Sequence, residues 1–322
     1  MKILITGVSG FVGSYLLEKL FRNSEESLAV HGTYVNNKEQ DNISHWKEKI
    51  NLHACDISNA DQVQAVIKEV QPDQVYHLAA MSSGAAEDRE KVLAVNVVGT
   101  LNILQACQDL NKKVRVLLTS TGYVYGSSAE QQPFSEEDKP QPMGVYAESK
   151  YEMEKKVLAA DLSNVEIIIS RAFNHTGPKQ TPDFVVPAFA KQIAEIEAGR
   201  SQPTLFVGNL EAIRDFFDVR DAVKAYTLLM SKGKSGEIYN VASGQAIQIS
   251  EILDKLLTLS AKKINIEQDK DRMRPSDLAH CVGSYDKIQN ELGWEPEINF
   301  DNTLSDVLDY WRTEIADNKQ IV

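Results

Sequence analysis

Apolar residues in the first half of the chain follow two alternating rhythms. Short β-branched runs occur at KILIT (2–6), SLAVHGTYV (27–35), INLHAC (50–55), QVYHLAA (74–80), VRVLLTS (114–120) and VEIIISRAF (165–173). Between them lie stretches with apolar residues near i, i+3 and i+4: FVGSYLLEKLF (11–21), NADQVQAVIKEV (59–70), REKVLAVNVVGTLNILQACQDL (89–110) and YAESKYEMEKKVLAA (146–160). The first rhythm predicts strands and the second helices, so the alternation predicts βαβ units and a parallel sheet. The strand runs are continuously apolar, as they must be when helices cover both faces. The predicted fold class is α/β, a Rossmann-type doubly wound parallel sheet with a smaller C-terminal α/β domain.

After about residue 172 the alternation loosens. Turn-rich segments (176–184, 197–203, 241–245) separate helical ones at 184–198, 249–260 and 300–311. DVRDAVKAYTLLM (218–230) and EIYNVA (237–242) read as a return to the first sheet. The expected division is therefore 1–172 plus about 215–241 for a dinucleotide-binding domain, and about 173–214 plus 242–322 for a substrate domain. The acidic stretch SEEDKPQP (135–142) reads as a solvated loop.

Composition narrows the function classes. With 43% hydrophobic and 25% charged residues and no long unbroken apolar segment, the chain reads as a globular protein without a membrane span. Met1-Lys2 runs at once into ILITGVSG, so no secretory signal is expected. Cys55, Cys107 and Cys281 lack metal-ligand spacing and cannot all pair, which points to a reducing cytoplasm and no metal site. The net charge of 34 − 46 = −12 opposes nucleic-acid binding. Any anionic ligand must be met by locally placed cations.

Candidate chemistry begins at ILITGVSGFVG, which sets Gly7, Gly10 and Gly13 between the first strand and the first helix. Glycines there permit a tight turn and close approach of backbone to a pyrophosphate, while the helix N-terminus (Phe11, Val12) offers free N–H groups. The spacing is GxxGxxG rather than GxGxxG. An acid closing the second strand would favour NAD through the ribose 2′-OH, but GTYVNNK has none before Glu39. Asn36 and Lys38 suit a 2′-phosphate, so NADPH is favoured, with NADH open. Asp56 and Ile57 are candidates for the adenine edge, and Asp56 reads equally as a helix N-cap.

The second cluster is TSTGYVYG (119–126) followed by YAESK (146–150). Tyr146 and Lys150 are i and i+4, on one helix face. A free phenol, with pKa about 10, exchanges protons poorly at neutral pH, and a neighbouring ammonium, helped by an oxidised nicotinamide, is expected to lower it. Thr121 ends a parallel strand, where open α/β sheets hold their ligands, and its hydroxyl suits a reacting oxygen.

Together with HLAA (77–80), NVVGTLNIL (96–104), RAFNHTGPKQTPDFVVPAFAKQI, VGNLEAIRDFFDVRDAVKAY, GEIYNVASG and RMRPSD, these motifs resemble the extended short-chain dehydrogenase/reductase family acting on nucleotide sugars. The likeness is strongest to its GDP-mannose branch, where ketone reductases and 4,6-dehydratases are neighbours, and it spans nearly the whole chain. It implies a cofactor lined also by Leu78, Ala79 and Ala80. It further implies that Ser82 and Ser83 reach the sugar, that Asn174 bonds the substrate, that Val186 lies near the base, and that Lys191, Arg214 and Arg274 meet the diphosphate or nucleotide. His77 and His175 are expected to be structural.

The dehydratases carry an acid directly after the Ser/Thr for elimination, where this chain has Gly122 and Tyr123. The resemblance therefore implies reduction of the C4 ketone of GDP-4-keto-6-deoxy-D-mannose to GDP-D-rhamnose. Tyr146 would be the proton donor, Lys150 would hold the nicotinamide ribose, and Thr121 would orient the oxygen. It also implies a homodimer through the helices of 89–110 and 146–160. Related reductases carry an Arg near Val35, which valine cannot replace, so use of NADH alongside NADPH stays open. Alternatives are a nucleotide-sugar 4-epimerase with tightly held NAD and a non-enzymatic dinucleotide sensor. Such sensors typically lose the Tyr and the Lys.

Overall fold

The computed structural model describes residues 1–22, 28–35, 37–82, 88–273 and 278–317, the side chains of 37–41 excepted. The strands are β1 (Lys2–Thr6), β2 (Ala29–Tyr34), β3 (Asn51–Ala54), β4 (Gln74–His77), β5 (Val114–Thr121), β6 (Val165–Ala172), β7 (Asn174–Thr176), β8 (Thr204–Val207), β9 (Ile213–Arg214), β10 (Phe216–Asp218), β11 (Ile238–Val241), β12 (Ile247–Gln248), β13 (Asn265–Gln268) and β14 (His280–Cys281). The helices are α1 (Phe11–Arg22), α2 (Ala60–Val70), α3 (Arg89–Leu93), α4 (Thr100–Gln108), α5 (Val145–Leu158), α6 (Val185–Glu197), α7 (Val219–Lys232), α8 (Ile249–Thr258), α9 (Asp286–Leu292) and α10 (Phe300–Asp317).

Seven strands form one parallel sheet in the order β11-β6-β5-β4-β1-β2-β3. The order reverses between β1 and β4, and a ligand crevice opens beyond the carboxyl ends of the strands at such a reversal. The predicted return of 237–242 is seen as β11, which pairs with β6.

Alternation along each strand feeds two cores. Ile3 and Ile5 pack with α1 and α7, while Leu4 between them packs with α2, α4 and α5. That double covering is the physical reason for the unbroken apolar runs. A third core joins α6, α8 and α10 around Phe189, Ile252 and Leu308. Leu278, Cys281, Ile288 and Trp294, by contrast, pack with the core that holds β1 and α7.

The predicted helix over 89–110 is interrupted. Residues Ala94–Gly99 take the wider π form between α3 and α4. There Asn96 is buried, and a Cβ on Gly99 would meet Ile57 at 2.8 Å.

Candidate active site

The glycine loop fits a dinucleotide by what it leaves bare. Gly7 has φ +66°, and a Cβ on it would lie 3.0 Å from Ala79 Cα. A Cβ on Gly13 would lie 2.5 Å from the Val8 carbonyl oxygen, so neither position takes a side chain. The loop closes by Gly10 N–H donating to Gly7 O at 3.0 Å, and α1 begins at once with no acid in its first turn to repel a phosphate. Phe11 lies parallel to the His175 ring at 6.4 Å, and Val12 packs against the sheet core.

Across the crevice, Ala79 N–H donates to Thr6 Oγ1 at 3.2 Å, Leu78 leans on the core and Ala80 is exposed. Val35, at the end of β2, is 70% exposed. Asn36 and the Lys38 side chain lie outside the described residues. Asp56 is not the N-cap of α2, because Asn59 holds that position and accepts from Gln62 N–H. Asp56 instead accepts from Ser58 N–H and Oγ at 2.9 and 2.7 Å, which shapes the turn after β3. Ile57 is core: its side chain is buried against Gly99 and its carbonyl accepts from Asn102.

The catalytic candidates converge because β5 and α5 lie side by side. Thr121, the last residue of β5, accepts from Tyr123 N–H at 3.2 Å, and its hydroxyl faces the Tyr146 phenol. Lys150, 2% exposed, donates to the Thr119 carbonyl at 2.7 Å. Burial pushes the Tyr146 phenol up to about 12, with Thr121 pulling against the rise. The Lys150 ammonium takes no part in that balance, being turned to the Thr119 carbonyl. Burial also draws Lys150 down to about 8, against the pull of Glu154. The site thus presents a protonated phenol beside a marginally charged amine.

A second hydroxyl lies next to the first. Tyr123 donates to Asn174 Oδ1 at 2.8 Å, and Asn174 Nδ2 donates to the Asp215 carbonyl at 3.0 Å. The Arg214 guanidinium stands 6.0 Å over the Tyr123 ring. Asn174 and Arg214 are therefore brought to the catalytic trio. Ser82 is exposed at the end of the loop after β4, while Ser83 and Arg274 lie outside the described residues. Lys191 sits on the Trp311 ring at 5.5 Å and 3.9 Å from Glu195. Val186, 1% exposed, sits in the first turn of α6 with its side chain in the third core. His77 is structural as expected, with its ring nitrogens on Thr6 and Thr100 at 2.8 and 2.9 Å.

Three supporting residues escaped the sequence reading. Asn96 in the π segment accepts from Met81 N–H at 2.8 Å and donates to Met81 O and Ser149 Oγ, while Ser149 donates to the Tyr146 carbonyl. It thereby ties the loop after β4 to the helix carrying Tyr146. Glu154 is buried and accepts from Ser120 and Arg171. Asp215 is buried and accepts from Ser243 and Gly244. The one signal in the sequence was polar residues within apolar runs: Asn96 in AVNVVG, Glu154 four after Lys150, and Asp215 before FF.

Comparison with known proteins agrees with this geometry. The family model described as GDP-mannose 4,6 dehydratase matches residues 4–307. The chain is 33% identical over 98% of its length to GDP-6-deoxy-D-mannose reductase of Pseudomonas aeruginosa, covering 99% of that protein. It is 31% identical over 91% of its length to GDP-6-deoxy-D-talose 4-dehydrogenase of Aggregatibacter actinomycetemcomitans, covering 92% of it. The structure of RMD from Pseudomonas aeruginosa complexed with NADPH superposes with a TM-score of 0.83 at 33% identity, over 97% of this chain and 99% of that one. A glycine cradle at the β1/β4 reversal, the Thr121, Tyr146 and Lys150 cluster and these matches lead to one assignment: the chain belongs to the GDP-mannose 4,6-dehydratase family of extended short-chain dehydrogenase/reductases, enzymes that act on nucleotide sugars with a nicotinamide dinucleotide.

Proposed function

We propose that the protein reduces the C4 ketone of GDP-4-keto-6-deoxy-D-mannose to GDP-D-rhamnose, with NADPH favoured and NADH usable. The observation that carries this reading is Tyr123. Where a dehydratase presents a carboxylate after the Ser/Thr, a neutral phenol stands here, bonded to Asn174. No base remains at that position to eliminate water, so the trio is left with proton transfer at a carbonyl. The resemblance to the reductase of Pseudomonas aeruginosa supports the same sugar.

When bound, the dinucleotide supplies the hydride. The chain supplies the rest: Gly7, Gly10 and Gly13 seat the pyrophosphate, and Lys150 binds the nicotinamide ribose. Thr121 orients the ketone oxygen, and Tyr146 passes its proton to that oxygen as charge develops. Arg214 and Asn174 hold the diphosphate and sugar, and Arg274, Lys191, Ser82 and Ser83 belong to the same substrate side. The planar guanidinium suits the anion that an acidic protein must meet locally. The reading also divides the chain into a dinucleotide domain and a substrate domain. It pairs two copies through the helices of 89–110 and 146–160, where Val98 of the π segment and Leu158 of α5 stay 47% and 49% exposed, and it places the enzyme in the cytoplasm.

The deciding experiment mixes the protein with GDP-4-keto-6-deoxy-D-mannose and each reduced cofactor and identifies the product by NMR. One dinucleotide oxidised per GDP-D-rhamnose formed is the expected result. Purification with NAD attached and turnover without added cofactor would instead reveal a 4-epimerase.

The pH dependence follows from the two titrating groups. The donor must keep its proton, and Tyr146, at about 12, does so throughout the neutral range. Lys150 must be charged, and it loses its proton as the pH rises through about 8. Ketone reduction is therefore expected to be level on the acidic side of about 8 and to fall on the alkaline side, as read from kcat/KM against pH.

A further inference from the structure

Three consecutive residues of β5 grip three successive turns of α5: Thr121 faces Tyr146, Thr119 accepts from Lys150, and Ser120 donates to Glu154 Oε1 at 2.5 Å. Tyr146, Lys150 and Glu154 are spaced i, i+4 and i+8, one stripe of the helix. Glu154, 1% exposed, is also gripped from β6, where Arg171 Nη2 donates to Oε2 at 2.7 Å and Arg171 Nε to Oε1 at 3.1 Å. Arg171 in turn donates to the Tyr125 hydroxyl at 2.9 Å, which donates to Asn240 at 2.8 Å. Both carboxylate oxygens are thus held by donors.

We propose that the Glu154 carboxylate, fixed by Ser120 and Arg171, is a positioning residue that holds Lys150 as an ammonium in its buried place beside the dinucleotide. The charged and titratable groups around Lys150 leave it this part. His77 from β4 is neutral, held down to about 3 by burial and by Lys150 itself. Tyr146 on α5 is a protonated phenol, and Tyr226 from α7 is another, pushed up by burial. Arg171 from β6 carries the same sign as Lys150. Among the described residues Glu154 is the one anion acting on that amine. The inference needs dinucleotide binding through Lys150 and not the identity of the sugar.

The test is the dissociation constant of NADPH, read by its fluorescence on the full-length wild type and variants side by side as the pH is raised from about 5 to about 10, the 2′-phosphate, with pKa about 6, titrating alike in all of them. Affinity is expected to fall as Lys150 loses its proton. In Glu154→Gln the fall should come about one pH unit or more earlier, because Arg171 is left as an unopposed positive neighbour. In Glu154→Gln/Arg171→Met, with both charges gone, it should lie between wild type and the single variant. A purely structural role would lower the melting temperature and leave the position of the fall unmoved, and that result in either variant would overturn the proposal. If the single variant does not fold, the double variant decides: a fall coincident with wild type refutes the role, and an earlier one upholds it. A protein inactive on the keto sugar but showing these shifts would sink the proposed reaction and spare this inference.

Discussion

Tyr146→Phe is expected to lose about 10²–10⁴ of the turnover for ketone reduction, the range a single positioned proton donor supplies. At about 1.36 kcal/mol per tenfold, that is roughly 3–5 kcal/mol of barrier. The loss should fall on kcat rather than on cofactor affinity. The phenol oxygen faces Thr121 and the place of the reacting oxygen, whereas the dinucleotide is seated by the glycine loop and Lys150. Removing an interaction made only as charge develops lowers kcat and kcat/KM together. The ring itself remains to pack, so the fold should persist. NADPH fluorescence titration and steady-state rates on the same preparation check both halves. Full activity in the variant would remove Tyr146 from the mechanism, and with it the reading of the site.

What the sequence revealed of this site was whatever repeats at short range. The β1-to-α1 turn was legible because three glycines in seven residues satisfy one local constraint, absence of Cβ, and the structure meets that constraint at Gly7 and Gly13. Tyr146 and Lys150 were legible because an i, i+4 pair shares a helix face whatever the rest of the chain does. The parts that stayed hidden are long-range pairings. Asn96 reaches Met81 and Ser149, fifteen and fifty-three residues away, and Asp215 reaches Ser243 and Gly283 across twenty-eight and sixty-eight. Side-chain hydrogen bonds of that span leave no periodicity. The π segment was invisible too, because its apolar pattern is that of an ordinary helix.

Asp215 carries the largest expected loss of stability. Its Oδ1 accepts from Ser243 N–H and Oγ at 2.8 and 2.7 Å, and its Oδ2 from Gly244 N–H at 2.9 Å and Gly283 N–H at 3.3 Å. It is 0% exposed. One carboxylate therefore gathers the turn after β11 and the strand end after β14 onto β9 and β10. Asp215→Ala strands these buried donors together, and at about 1–3 kcal/mol for a buried unsatisfied group the non-additive total should be about 3–5 kcal/mol. Against the 5–15 kcal/mol typical of a folded chain, that is a large share. The neighbours matter for function: Arg214 precedes it, and its carbonyl holds Asn174, which in turn takes the Tyr123 hydroxyl. A variant folded at low temperature should accordingly raise KM for the GDP-sugar more than it lowers kcat.

The pH dependence gives an independent check on Asp215. Burial pushes the carboxyl up to about 6 from its ordinary 3.8, despite the donors around it. A raised folded-state value means that its titration favours folding below 3.8 and that this contribution is lost as the pH rises through about 6. Asp215→Asn removes that titration, so the stability gap between wild type and Asn should be wider at about pH 4 than at about pH 8. Urea midpoints at the two pH values measure it. A gap that widens toward alkaline pH would mean that the ionised carboxylate is held by its four donors more strongly than burial opposes it.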